Sequence, residues 1–218
     1  MSTNLKSRGF TLIEGIITIV LLAIAMITLT SFLFPQLERS AIPMYQAKSA
    51  AIADAVFNEI LSRQFDQNSD PLGDSVYRCG EAYPSAVSGA MTANPCSKEL
   101  GPDDELEKEQ PQYSNDVDDF IGCWGVLSQC KTHQGVEYRA IKDKENSLVG
   151  LIPGVSQSEY KHIAVIVNVN YVDNNHGQFK LVSAPKAAAE LVPLKQISVT
   201  VDAGRYGSYQ YKALRGNY

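Results

Sequence analysis

Positive charge is missing from the stretch Phe10–Glu38, which holds neither lysine nor arginine. A carboxylate placed there has no side-chain cation of its own segment to pair with. Histidine is scarce: only His133, His162 and His176 occur, none of them in an HExxH pattern or beside an evident nucleophile. The sequence also lacks a P-loop and a glycine-rich dinucleotide turn. With a formal net charge of -5 it has no general basic footprint for nucleic acid. Cysteine is limited to Cys79, Cys96, Cys123 and Cys130, at spacings that do not fit a zinc ribbon. These absences give no grounds for an enzyme, a cofactor, a metal centre or a nucleic-acid partner.

The sequence does have an organised beginning. Lys6-Ser7-Arg8-Gly9 is short, polar and basic, and it leads into an apolar run from Phe10 to Phe34. At about 1.5 Å per residue the run makes a helix of roughly 37 Å, enough to cross a hydrocarbon core of about 30 Å with some tilt. Lys6 and Arg8 put the leader on the cytoplasmic side and export the remainder. Ala23-Ile24-Ala25 has a small-x-small spacing, but the apolar run continues past it, so it does not read as a secretory cleavage site. Glu14 is the one charge in the run. It lies roughly 6 Å along the axis from Phe10, just inside the membrane boundary, where an ionised group still costs free energy. Cutting the chain after Gly9 would create a partner, the new amine of Phe10. A neighbouring chain offset by about one helical turn would bring that amine level with Glu14.

Gly9-Phe10-Thr11-Leu12-Ile13-Glu14 resembles the processing and methylation motif of type IV prepilins and type II secretion pseudopilins. The resemblance implies cleavage between Gly9 and Phe10 by a prepilin peptidase, N-methylation of Phe10, and a role for Glu14 in setting axial register in a filament. It further implies other major and minor pilins, an inner-membrane assembly platform and membrane lipid as partners, with no catalytic role. The expected location is the inner membrane, single-pass, N-terminus cytoplasmic and globular domain periplasmic. After assembly the expected place is a pilus on the cell surface.

The expected organisation is a leader at 1–9, a transmembrane and assembly helix at 10–34, a periplasmic amphipathic helix at 35–65 and a globular domain at 66–218. The helix reads as continuous from Phe10 to about Phe65, with Pro35 and Pro43 marking kinks. Gly15, Ala23 and Ala25 would let helices approach closely in lipid. Beyond Met44 the stripe Ile52, Val56 and Ile60, widened by Ala53, Phe57 and Leu61, is fit to cover a sheet. Asn68-Ser69-Asp70-Pro71 and Gly73 carry the stop signals.

Asp74 to Tyr113 reads as irregular, with Asp103-Asp104-Glu105 as a solvated loop face. The four cysteines, in an exported domain, are expected as disulfides. Sequence alone leaves three pairings open; nearest-neighbour spacing favours Cys79–Cys96 and Cys123–Cys130. Asn115-Asp116-Val117-Asp118-Asp119-Phe120 carries enough carboxylates for calcium, but Ile121 and Leu127 stand where an EF-hand needs glycine and glutamate. A cap or turn role for Asp116 or Asp118 is expected instead. Strands are expected at Val136–Ile141, at Ile163–Tyr171 with its period of two, at Gln178–Ser183 beyond an Asn-rich turn, at Gln196–Val201, and around Tyr209 and Tyr211. The fold class is therefore α+β, a long N-terminal helix packed on a C-terminal antiparallel sheet.

Scattered later segments extend the resemblance. Leu33-Phe34-Pro35-Gln36, Arg78-Cys79-Gly80-Glu81, Asp116-Val117-Asp118-Asp119-Phe120 and Arg215-Gly216-Asn217-Tyr218 are similar to minor pilins of the mannose-sensitive haemagglutinin (MSHA) pilus. Phe120 stands where that family would have tyrosine. The expected function is a minor pilin of an MSHA-like type IV pilus, with a role in pilus initiation, surface adhesion or motility. The alternative is a minor pseudopilin of a type II secretion system.

Overall fold

The computed structural model describes residues 10–69, 78–85, 88–156, 158, 160–175, 178–185 and 191–217. The leader with Gly9, the stop signals Asp70, Pro71 and Gly73, the turn residues His176 and Gly177, and Tyr218 lie outside them. The chain separates into two compact units, Met1–Met44 and Tyr45–Tyr218.

The first unit holds the beginning of helix α1, Leu12–Leu61. Its apolar side chains from Phe10 to Phe34 all face outward on every side, among them Leu12, Ile17, Leu22 and Phe32. Its hydroxyls are satisfied locally. Thr18 donates to the Gly15 carbonyl, Thr28 to Ala25, Thr30 to Met26 and Ser31 to Thr28, all within 3.0 Å. No polar group of those side chains would enter lipid without a partner. The helix runs unbroken through Pro35 and Pro43. Each proline removes one N–H donor, and the hydrogen bonds on either side carry the helix past it.

In the second unit the rest of α1 buries Ser49, Ile52, Ala53, Val56 and Ile60, one face at helical spacing. Ile52, Ala53, Val56 and Ile60 share a core with Val165, Val167, Val169, Ile197, Val199 and Val201. The helix ends at Leu61, earlier than the expected Phe65. The chain leaves it to pair with a loop: Gln64 N–H donates to the Asn115 carbonyl and Val117 N–H to the Gln64 carbonyl, at 3.1 Å each.

The sheet consists of β3 (Gly122–Trp124), β4 (Ala164–Asn175), β5 (Gln178–Val182), β6 (Leu194–Asp202) and β7 (Ser208–Gly216). Its order is β3-β4-β6-β7, with β5 also on β4, and every pairing is antiparallel. The period of two explains the layering. Val165, Val167, Val169 and Tyr171 face the helix side, whereas Asn168 on the other parity is exposed. Ala164 and Ile166 on that second face are covered by the disulfide Cys123–Cys130, which binds β3 to the short helix α3 (Leu127–Cys130).

Two expectations need correction. Val136–Ile141 is not a strand of the sheet. It meets β3 only around Cys123, whose N–H donates to the Glu137 carbonyl and whose carbonyl accepts from Arg139 N–H. With β3 three residues long there is no further ladder to join. The region before Tyr113 is not wholly irregular. It contains the hairpin β1 (Ala82–Pro84) and β2 (Met91–Ala93), closed near its base by Cys79–Cys96, and the helix α2 (Glu105–Glu109). The acidic run leads into α2: Asp104 is its N-cap and forms a reciprocal capping box with Glu107, which is buried.

Candidate functional site

The residues expected to carry processing and assembly lie at the start of α1. Phe10 and Thr11 precede the helix, and Glu14 sits in its first turn, where a carboxylate complements the helix dipole. Thr11 Oγ1 donates to Glu14 Oε2 at 3.5 Å, and Gly15 N–H donates to the Thr11 carbonyl at 3.2 Å. Phe10, Thr11 and Glu14 are exposed. A Cβ added at Gly15 would meet nothing within 4 Å, so this side of the helix is open to a close neighbour. The helix is long and apolar enough to cross a membrane. Its chemical capacity is therefore insertion and side-by-side packing, with a single carboxylate available to a cation on another chain.

A second polar constellation lies inside the globular unit, and sequence reading missed it. Lys195 is fully buried on the helix-facing parity of β6, next to Tyr171 of β4 in register. Its ammonium donates to the Phe65 carbonyl at 2.7 Å, to Asp66 Oδ2 at 3.2 Å and to Asp118 Oδ1. The rings of Phe65 and Tyr171 stand 4.8 and 4.9 Å from it. Tyr171 OH donates to Asp66 Oδ2 at 2.8 Å, and Ser97 N–H and Asn68 N–H donate to the same carboxylate. Burial works against charge on Asp66, but Lys195 and these donors outweigh it and hold the carboxyl below its ordinary range. Burial likewise works against charge on Lys195, and Asp118, Asp66 and Asp116 together raise it above its ordinary value.

The acidic stretch Asp116–Asp119 folds as a tight turn around its own backbone. Asp119 Oδ2 accepts from Asn115 N–H at 2.7 Å and Asp116 N–H at 3.1 Å. Asp116 Oδ1 accepts from Asp118 N–H, and its Oδ2 from Gln67 N–H, at 2.9 and 2.8 Å. The turn-fixing role expected for Asp116 is thus seen, and Asp119 shares it. Burial, with like charge from Asp118, pushes Asp116 up to about 9. Burial also pushes Asp119 up to about 7, against its two backbone donors.

His133 Nε2 lies 2.9 Å from Asp202 Oδ2. All four cysteines are in disulfides, Cys79–Cys96 and Cys123–Cys130.

What decides the class is the N-terminus. Residues 4–30 match the family described as the prokaryotic N-terminal methylation motif. The N-terminus carries a prepilin-like signal. No curated protein and no solved structure matches the chain. Such a motif implies processing by a prepilin peptidase and assembly of the pilin kind. Gly9 itself lies outside the described residues.

Proposed function

We propose that this prepilin-like chain is a minor pilin of an MSHA-like type IV pilus. A prepilin peptidase cuts it between Gly9 and Phe10 and methylates the new Phe10 amine. The helix over 10–34 holds the precursor in the inner membrane, with the domain beyond Tyr45 in the periplasm. The assembly platform then adds the subunit to other pilins through that helix. The observation that carries this reading is the methylation motif over residues 4–30, set at the start of a helix whose apolar side chains up to Phe34 are all exposed. The MSHA assignment is finer. It rests on the likeness of Arg78-Cys79-Gly80-Glu81, Asp116-Val117-Asp118-Asp119-Phe120 and Arg215-Gly216-Asn217-Tyr218 to the minor pilin MshD.

A minor pseudopilin of a type II secretion system would share the helix and its processing, and the methylation motif favours both readings equally. N-terminal sequencing and mass analysis of the protein from sheared surface pili test the proposal. An N-methylated Phe10 at the start of a chain present in purified pili is expected. An intact Met1 would overturn the prepilin reading. Correct processing without presence in pili would move the assignment to the secretion system.

A further inference from the structure

We propose that Asp103, Asp116 and Asp119 form a calcium site. One carboxylate oxygen of each lies within 4.8 Å of the others. Asp116 and Asp119 are buried, and Asp103 is exposed. The independent observation is at Asp119. It is fully buried, and its Oδ1 has no hydrogen-bond partner. A buried carboxylate oxygen left without a donor is costly, and native proteins rarely tolerate one without a reason such as an ion.

The group is held in place by backbone. Gln67, Asn115, Asp116 and Asp118 N–H groups fix the two buried carboxylates, so Asp119 Oδ1 is the oxygen left free for a cation. The neighbouring cations hydrogen-bond to other groups, although Asp119 is the carboxylate that acts most strongly on Arg139. Lys195 bonds Asp66 and Asp118, and the Arg139 guanidinium donates to the Glu107 carbonyl at 2.7 Å and the Ile121 carbonyl at 3.3 Å.

Three carboxylates and no imidazole or thiol make a hard, all-oxygen set. That set suits calcium rather than zinc. The exposed Asp103 leaves one side open for entry and for the waters that complete a shell of about six to eight oxygens. The other acidic group, Asp66 with Cys79 and Cys96, is not comparable, because both sulfurs are bonded to each other. The donors come from two separate loops, Asp103 from the one before α2 and the others from the turn before β3. A contiguous EF-hand pattern could not have revealed them. An ion here would tie the α2 loop to the turn that receives the end of α1, and this holds whether or not the chain is a pilin.

The test uses the full chain in detergent, stripped with EGTA, and calorimetric titration with calcium chloride and separately with magnesium chloride. One calcium per chain is expected, with a Kd of about 10⁻⁴–10⁻³ M as in extracellular modules, and a higher thermal midpoint when loaded. Asp103→Asn is the deciding variant, since Asp103 is exposed and its loss does not disturb the core. It should weaken calcium binding by about tenfold or more, the loss of one charged ligand in a site tuned by ligand charge. Asp119→Asn should do the same where it folds. Absence of calcium binding by the stripped wild-type chain, unaltered affinity in Asp103→Asn, or magnesium binding as tightly as calcium would each overturn the proposal.

Discussion

Lys195 stands on the inward parity of β6, where its neighbours are Ile197, Val199 and Val201. A lysine survives there because Asp66, Asp118 and the Phe65 carbonyl receive all three of its protons. Replacing one partner of such a group leaves the others buried and unpaired. Lys195→Met should therefore cost about 3–5 kcal/mol in chemical denaturation. Lys212→Met, on the exposed parity of neighbouring β7, should change stability by less than about 0.5 kcal/mol.

The same pair sets a pH dependence. The folded Asp66 carboxyl titrates below its ordinary value. Its contribution is present above the unfolded pKa and is lost as pH falls through the lower folded value. Lys195 is raised above its ordinary value, so its contribution is intact below the unfolded pKa and is lost as pH climbs through the folded value. Wild-type protein should lose more stability than Lys195→Met on acidification below about pH 4. Thermal melts of both proteins across that range read the difference. An identical acid limb in the two would show that the pair is not what holds Asp66 ionised.

At the scale of elements, the second half of α1 is held by what it buries. Ile60 is fully buried among Val56 and the sheet valines. Ile60→Ala should cost about 2–5 kcal/mol, whereas Ile24→Ala, in the uncovered apolar run, should leave the unfolding of the globular unit unchanged. Denaturant titration of both variants checks this.

The stripe Ile52, Val56 and Ile60 and the alternation Val165, Val167, Val169 were legible in sequence, because burial on one face forces a period. β3 was not, since Gly122–Trp124 is three residues long and carries no period. Val136–Ile141 had the residue types of a strand but no strand long enough to pair with. The capping box Asp104–Glu107 was missed, because the charge run around it reads as a solvated loop face. The Lys195 network was visible only as a cation on an apolar parity. Its partners Asp66 and Asp118 lie 129 and 77 residues away in sequence, and no local pattern joins them. The processing motif was legible because it is local, a fixed spacing on one stretch of chain.

For the whole molecule the question is how one carboxylate in an apolar helix is compensated. The described helix offers Glu14 no lysine or arginine before Arg39, and Thr11 gives it only a long hydroxyl contact. We take its partner to be the amine of a processed Phe10, in a neighbouring subunit or in its own chain before assembly. Across subunits that pairing would fix how far one subunit sits above the next. In low dielectric an opposite charge at close range is worth far more than at a surface, although desolvation takes back much of the gain. Glu14→Gln keeps size and polarity and removes the charge. The variant should insert and be cut after Gly9, because the cut site is untouched, and then accumulate in the inner membrane with little in pili. Glu14→Ala should behave alike, since the charge rather than the hydrogen-bonding group is what both lack. A companion variant with a bulky residue at Gly9 should instead remain uncut, which separates failure of processing from failure of assembly. Immunoblots of sheared pili and membrane fractions distinguish these outcomes. Glu14→Gln present in pili at the wild-type ratio would mean that the carboxylate is not what sets the register.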